Sequence, residues 1–266
     1  MKRILLLLTF ISIFVLTACG KKEDALTVVA TPVPHAEILE EVKPILEKEG
    51  IDLKINIVND YTTPNKLLES GDADATFFAH IPHFDNLVEN EGYDFVNLGA
   101  VHLEPIGAYS NDYKSLEELP DGATIFMSTN VADEGRILKF FVDRDLITLK
   151  DGVDPVTARV EDIDENPHDF KFDNKTAPEF LTKAYENNEA DVVFINANYA
   201  IDADITPADE AIALEKADSL YVNIVIARAE DKDNEDLKKL VEALQSDEIR
   251  TFIEETYGGA VIPAEK

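Results

Sequence analysis

The residues of this chain that could do chemistry are few in type. Its 266 residues hold five histidines and one cysteine, with 54 Asp plus Glu against 24 Lys plus Arg. The histidines are His35, His80, His83, His102 and His168. Only His80 and His83 lie close together, and with Asp85 and Glu104 they could face a metal ion. Transition-metal sites need three or four converging ligands. This spacing supplies two, and Pro82 between them spoils a regular helical face. A cleft-lining pair with a polar or stacking role fits it better. The carboxylates are too many for any one pair to be marked as an acid and its base. No GxSxG elbow, Walker loop, GxGxxG or HExxH motif occurs. Neither an enzyme nor a resident metal or cofactor is expected.

The charge excess excludes further classes. A formal net charge of −30 argues against nucleic acid as a partner, because phosphate binding needs a basic surface. It also argues against a polybasic grip on anionic lipid. An apolar fraction of 45% is enough for true cores. One cysteine excludes a disulfide framework and a Cys-rich zinc site.

That cysteine sits at an informative place. Lys2 and Arg3 form a short basic start, and Ile4 to Leu16 is an apolar run broken only by Thr9 and Ser12. The pattern reads as a secretory signal, too short for a comfortable membrane span. Leu16-Thr17-Ala18-Cys19 looks like a bacterial lipobox, in which Cys19 takes a diacylglycerol and becomes the new N-terminus. Residues 1–18 are then a lipoprotein signal peptide and 19–25 a lipid-anchored tether. The protein is expected on the extracytoplasmic face of the cell membrane.

The elements that must position any site alternate. Short β-branched runs at 26–30, 52–58, 74–79, 123–127, 157–160, 191–195 and 221–227 read as strands. Helical stripes read at 36–49, 64–68, 82–90, 134–143, 178–187, 234–244 and 247–255, with Gly50, Gly71 and Gly258-Gly259 as stops. The acidic stretches 161–169 and 230–236 read as solvated loops. The alternation predicts an α/β fold with a mostly parallel sheet. Length predicts two lobes with the ligand in the cleft between them. Pro105 and Gly107 mark a hinge near 104–110, and a second crossing falls near 219–225. Lobe 1 is expected over 26–107 plus 222–266, and lobe 2 over 108–221.

Six motifs in series resemble the NlpA/MetQ family of methionine-binding lipoproteins that serve ABC importers. They begin with Thr31-Pro32-Val33-Pro34-His35-Ala36-Glu37-Ile38-Leu39. Asp60-Tyr61 with Pro64-Asn65 follows, then Phe77-Phe78-Ala79-His80-Ile81-Pro82, then Glu134-Gly135-Arg136. Ile195-Asn196-Ala197-Asn198-Tyr199-Ala200 comes next. The last spans Leu240 to Ser246 with Gly259-Ala260-Val261-Ile262-Pro263. The resemblance covers essentially the whole chain after the signal.

The resemblance implies a two-lobed periplasmic-binding-protein fold (type 2-like) that closes on one free amino acid, most simply methionine. The protein would work as a monomer and deliver its ligand to an ABC permease and ATPase complex. Arg136 would clasp the α-carboxylate, since a guanidinium matches a carboxylate bidentately. Asn196 and Asn223, with Asn198, would hold the backbone-like ends. Tyr61, Phe78, His80 and His83 would line the side-chain pocket, where aromatic rings suit a thioether. His35 is expected to have a structural or capping role.

The departures bear on specificity. His83 stands where the family usually has Tyr, and Ala197 where it has Gly between two asparagines. Thr129-Asn130-Val131-Ala132-Asp133 replaces Asn-Asp-Pro-Thr-Asn. Asp133, three residues before Arg136, would favour a ligand ammonium if it faces the cleft, or could neutralise Arg136. Strict methionine specificity is therefore open. The other readings are a different apolar amino acid, a methionine-containing dipeptide, and metal capture through His80 and His83.

Overall fold

The structure is a computed structural model describing residues 25–216 and 220–265. The signal-peptide and Cys19 readings, with nearly all of the tether, lie outside the described residues. Among the described residues, no helix is long and apolar enough to cross a membrane.

The chain begins with β1 (Leu26–Ala30), α1 (Glu37–Lys48), β2 (Leu53–Ile57), α2 (Thr63–Ser70), β3 (Ala75–His80), α3 (Ile81–Glu89) and β4 (Phe95–Leu103). It then crosses to β5 (Gly107–Tyr109), β6 (Thr124–Ser128) and α4 (Glu134–Val142). A small ribbon of β7 (Thr148–Leu149) and β8 (Ile163–Glu165) precedes β9 (Lys171–Thr176), α5 (Leu181–Glu186) and β10 (Val192–Ile195). After α6 (Ala197–Asp202), α7 (Pro207–Glu210) and β11 (Ala213–Leu214), the chain returns as β12 (Val222–Arg228). It ends with α8 (Glu235–Leu244), α9 (Asp247–Tyr257) and β13 (Ile262–Pro263).

Two sheets result, in the orders β13-β4-β12-β3-β1-β2 and β11-β5-β10-β6-β9. Each has helices on both faces, which is why strands such as Ala75-Thr-Phe-Phe-Ala-His80 are buried along their whole length. Helix α1 illustrates the packing. Ile38, Leu39, Val42 and Leu46 recur at helical spacing, and all are at most 1% exposed. Each such side chain contributes about 1.5–3 kcal/mol on burial. They share a core with Val28, Phe77 and Val225 of the sheet and Leu240 and Ile253 of the terminal helices. The second sheet packs Ile125 and Phe194 against Ile137, Leu138 and Phe141 of α4.

The sheets are mixed, which corrects the mostly parallel expectation. Strand β1 is parallel to β2 and β3, and β6 to β9 and β10. Strand β12 runs antiparallel to both β3 and β4, and β5 antiparallel to β10 and β11. The cause is topological. A chain that crosses between sheets enters the new one from the cleft end, against the direction of the strands already there. The expected strand at 157–160 is a turn leading into a 3-10 turn at Val160–Asp162. Two bonds between Arg159 and Asp162 hold it, the Arg159 backbone N–H donating to Asp162 Oδ2 at 2.9 Å and the Asp162 backbone N–H donating to the Arg159 carbonyl at 2.9 Å. The acidic loop at 161–169 contributes β8, and α8 begins inside the other at Glu235.

Candidate functional site

Strands β3, β6 and β10 all end at the face between the sheets, and each hands over to a turn or helix that carries polar side chains. His80 ends β3 and caps α3, its Nδ1 accepting the His83 backbone N–H at 3.1 Å. Phe78, two residues earlier, shares its face of the strand. Asn196 follows β10 directly as the N-cap of α6, which carries Asn198. Arg136 lies in the first turn of α4. That turn approaches the 155–156 backbone so closely that a Cβ on Gly135 would sit 2.4 Å from the carbonyl oxygens of Pro155 and Val156. Only glycine fits there. Asn223 enters with β12, opposite His80 on one side and His102 on the other. Tyr61 precedes α2, its carbonyl bonded to Asn65 Nδ2 at 3.0 Å.

All eight residues expected at the site line one narrow space between the sheets. Glu104, Ala79, Asn130 and Ala197 complete the wall. The rings of Tyr61, Phe78 and His83 form one cluster, with centroids 5.6–6.2 Å apart. Around Arg136 the character is ionic. Its Nε and Nη2 bond both oxygens of Glu215, its Nη2 reaches the Glu104 carbonyl, and its Nη1 reaches Asp133 Oδ1 at 3.2 Å. Tyr221 stacks 4.1 Å from the guanidinium. Of the two roles open to Asp133, the structure has it paired with Arg136.

Hydrogen bonds span the two halves. Tyr61 O–H donates to Asn198 Oδ1 at 2.7 Å. His83 Nδ1 meets Asn130 Oδ1 at 3.2 Å, and His80 Nε2 meets Asp133 Oδ1 at 3.1 Å. Because His80 Nδ1 accepts a backbone proton, its own proton belongs on Nε2. Both ring nitrogens of His80 are thus engaged within the protein, which disfavours a metal held by His80 and His83. Two buried atoms on the wall, His83 Nε2 and Asn196 Oδ1, have no partner among the described residues.

Beneath the pocket lies a buried group that sequence reasoning only grazed. Glu104 Oε1 receives His102 Nε2 at 2.7 Å and His35 Nε2 at 3.1 Å. Thr31 Oγ1 lies 2.7 Å from His35 Nδ1, and Asn223 Oδ1 lies 3.2 Å from His35 Nε2. His35 therefore has the structural role expected of it, and Asn223 is tied to it. Burial pushes the His35 imidazole down to about 4, against the pull of Glu104, and His102 down to about 3. Burial also lowers His83 to about 4 and pushes the Glu104 carboxyl up. His35, His102 and Glu104 are close enough to hold a metal. However, His102 Nδ1 is buried without a partner, whereas a metal-bound imidazole donates that proton to an acceptor. Two neutral N–H groups donating to one carboxylate account for the geometry.

Asp133 is fully buried. Burial opposes its charge, but the hydrogen bonds from His80 and Asn196 and the Arg136 guanidinium hold its carboxyl well below the usual range. Arg136 is held above its ordinary value, because Glu215 and Asp133 outweigh its desolvation. Glu215 had no signal in the sequence, being one acid among 54.

The family model described as NlpA lipoprotein matches residues 26–265. The chain belongs to the NlpA lipoprotein family. A methionine-binding lipoprotein MetQ of Bacillus subtilis is 46% identical over 257 residues, 94% of this chain and 93% of the relative. Among solved structures, a pheromone cOB1 precursor/lipoprotein of the YaeC family from Enterococcus faecalis is 51% identical. It superposes with a TM-score of 0.86 over 91% of this chain and 100% of that one. A nutrient-binding protein from Burkholderia cenocepacia, solved bound to methionine, is 36% identical with a TM-score of 0.85 over 91% and 100%. These neighbours make the NlpA-family fold of this chain the two-lobed substrate-binding one, with its cleft between the two sheets.

Proposed function

We propose that this protein is the lipid-anchored, extracytoplasmic receptor of an ABC importer and that it captures an amino acid of the methionine type. The observation that carries the reading is the inter-lobe pocket, with an aromatic cluster of Tyr61, Phe78 and His83 and an ionic cluster around Arg136. A thioether gains from lying against such rings. Glu104 supplies the acceptor for the ammonium. It takes protein hydrogen bonds from His35, His102 and the Asn198 backbone, and a carboxylate has about four acceptor positions. The remaining Nη1 hydrogen of Arg136 addresses the carboxyl end. Asn198 and Asn223 act by holding Tyr61 and His35 in place.

The names and the methionine-bound structure of the relatives support the choice of methionine. The Leu16-Thr17-Ala18-Cys19 pattern supports the anchor, with an acylated Cys19 tethering the body to the membrane. No covalent chemistry is assigned to the protein. Its work is capture, closure of Tyr61, His80 and His83 onto the opposite lobe, and release to a permease and ATPase complex.

Mass spectrometry of the small molecule released on denaturing the purified protein tests the reading. Stoichiometric methionine or a close derivative is expected. A protein that releases none and gains no thermal stability from added methionine would refute it.

A further inference from the structure

The Asp133 carboxylate occupies the donors that an amino-acid carboxylate would use. Its Oδ1 takes His80 Nε2 at 3.1 Å and Arg136 Nη1 at 3.2 Å. Its Oδ2 takes Asn130 Nδ2 at 2.8 Å, Asn196 Nδ2 at 3.1 Å and Ser128 Oγ at 3.5 Å. These five donors saturate a carboxylate. Four of them, from His80, Arg136, Asn130 and Asn196, belong to residues of the pocket wall.

Arg136 itself has little left to offer. Four of its five N–H groups go to Glu215, the Glu104 carbonyl and Asp133. One guanidinium hydrogen remains, where a bidentate clasp needs two. The charge balance points the same way. Asp133, Glu215 and Glu104 surround one guanidinium, so an incoming carboxylate would be a further anion beside a cation already neutralised. Asn196 Oδ1, buried and without a partner among the described residues, asks for a donor. A carboxylate has no hydrogen to give it, whereas a carboxamide has two.

We infer that Asp133 is a specificity-determining residue that turns this pocket away from free α-carboxylates and toward amino acids whose carboxyl end is uncharged, carboxamides above all. This rests on the reading of the pocket as an amino-acid site. The ligand's ammonium then goes to Glu104 and its carbonyl oxygen to the last Arg136 hydrogen. Its amide N–H goes to Asn196 Oδ1.

The test is calorimetric titration of the purified protein and its Asp133→Asn variant with L-methionine and with L-methioninamide. The wild type is expected to bind methioninamide at least as tightly as methionine. Asp133→Asn is expected to bind methionine at least tenfold more tightly than the wild type does and to prefer it to the amide. A wild type that prefers methionine tenfold or more overturns the inference, and so does a preference that Asp133→Asn leaves unchanged. Should the variant melt early, the wild-type ratio alone decides. Binding of neither compound by either protein, with a ligand of another class released on denaturation, removes the amino-acid reading and this inference with it.

Discussion

His80 Nε2 and Asp133 Oδ1 lie 3.1 Å apart across the cleft, one at the end of a strand in the first sheet, the other just before α4 in the second. The bond joins the lobes at a buried point and positions the ring that caps α3. His80→Ala removes it and leaves Asp133 to Arg136 and the two asparagines. A loss of about 1–3 kcal/mol in ligand affinity is expected, roughly 5- to 150-fold in Kd. Calorimetry with the ligand found on denaturation checks it, and an unchanged Kd would show that closure does not draw on this bond.

Arg136→Ala should damage the fold as well as the site. It strands two carboxylates, Asp133 and Glu215, that now share one guanidinium. Breaking a buried pair in this way costs about 3–5 kcal/mol. The variant should unfold at clearly lower denaturant, and Arg136→Lys should recover only part of the loss because an ammonium has no planar fork. A wild-type denaturation midpoint for Arg136→Ala would contradict the pairing.

Tyr61→Phe isolates a second tie between the lobes. It deletes one hydroxyl and its 2.7 Å bond to Asn198 Oδ1 while keeping the ring contacts to Phe78 and Tyr199. Affinity should fall by about 1 kcal/mol, with the thermal midpoint nearly unmoved. If Tyr61→Phe binds as tightly as the parent, the hydroxyl plays no part in holding the lobes together.

Acid should destabilise the protein from near neutrality downward. His35, His83 and His102 have folded-state values of about 4, 4 and 3 against an ordinary 6.5. The folded state resists protonating them. Their contribution is therefore complete above pH 6.5 and is lost as pH falls toward 4, on the order of 3 kcal/mol for each ring. Glu104, pushed up by burial, works in the opposite direction at its own titration and offsets part of the loss. Urea unfolding at pH 7 and pH 5 measures the difference. His102→Asn, which removes one neutral ring, should flatten the slope, and equal stability at the two pH values would rule the assignment out.

Gly135→Ala tests whether the α4 turn is set by backbone contact. The new methyl would meet two carbonyl oxygens at 2.4 Å, and backbone gives less readily than a side chain. A destabilisation of about 1–3 kcal/mol and a weakened ligand response are expected together, since Arg136 is the next residue. Circular dichroism melts and ligand titration of the same preparation would separate the two effects.

Much of this was legible in the chain. The apolar stripe of α1 and the runs at β1, β3, β10 and β12 stand out because burial on both faces leaves no room for polar residues. The eight residues expected at the site could be named because motif identity places them, not because their spacing implies a pocket, and the fold brings them to one space. Strand β9, Lys171–Thr176, was missed for a physical reason. It lies at a sheet edge, pairs with β6 alone among the described strands, and has no buried position, only exposed and half-buried ones without a regular alternation. Strand β4 was missed although it is nine residues long, because Asn97 and Gly99 interrupt it where its register against β12 shifts. Glu215 and Asn130 carry no local signal. The importance of Glu215 comes from its being folded back beside Arg136, and that of Asn130 from its bonds to Asp133 and, across the cleft, to His83.

The place of β12 has a consequence for how the molecule is assembled. It lies between β3 and β4, yet it follows every strand of the second sheet in the chain. As the polypeptide emerges N-terminus first, the strands spanning 107–214 arrive together and can complete their sheet. The earlier strands cannot, because a gap stays open between β3 and β4 and leaves both edges unpaired until Val222–Arg228 appears. The amino-terminal lobe is thus the later of the two to finish. A fragment ending before Val222 would carry seven of the eight site side chains and still present no intact pocket.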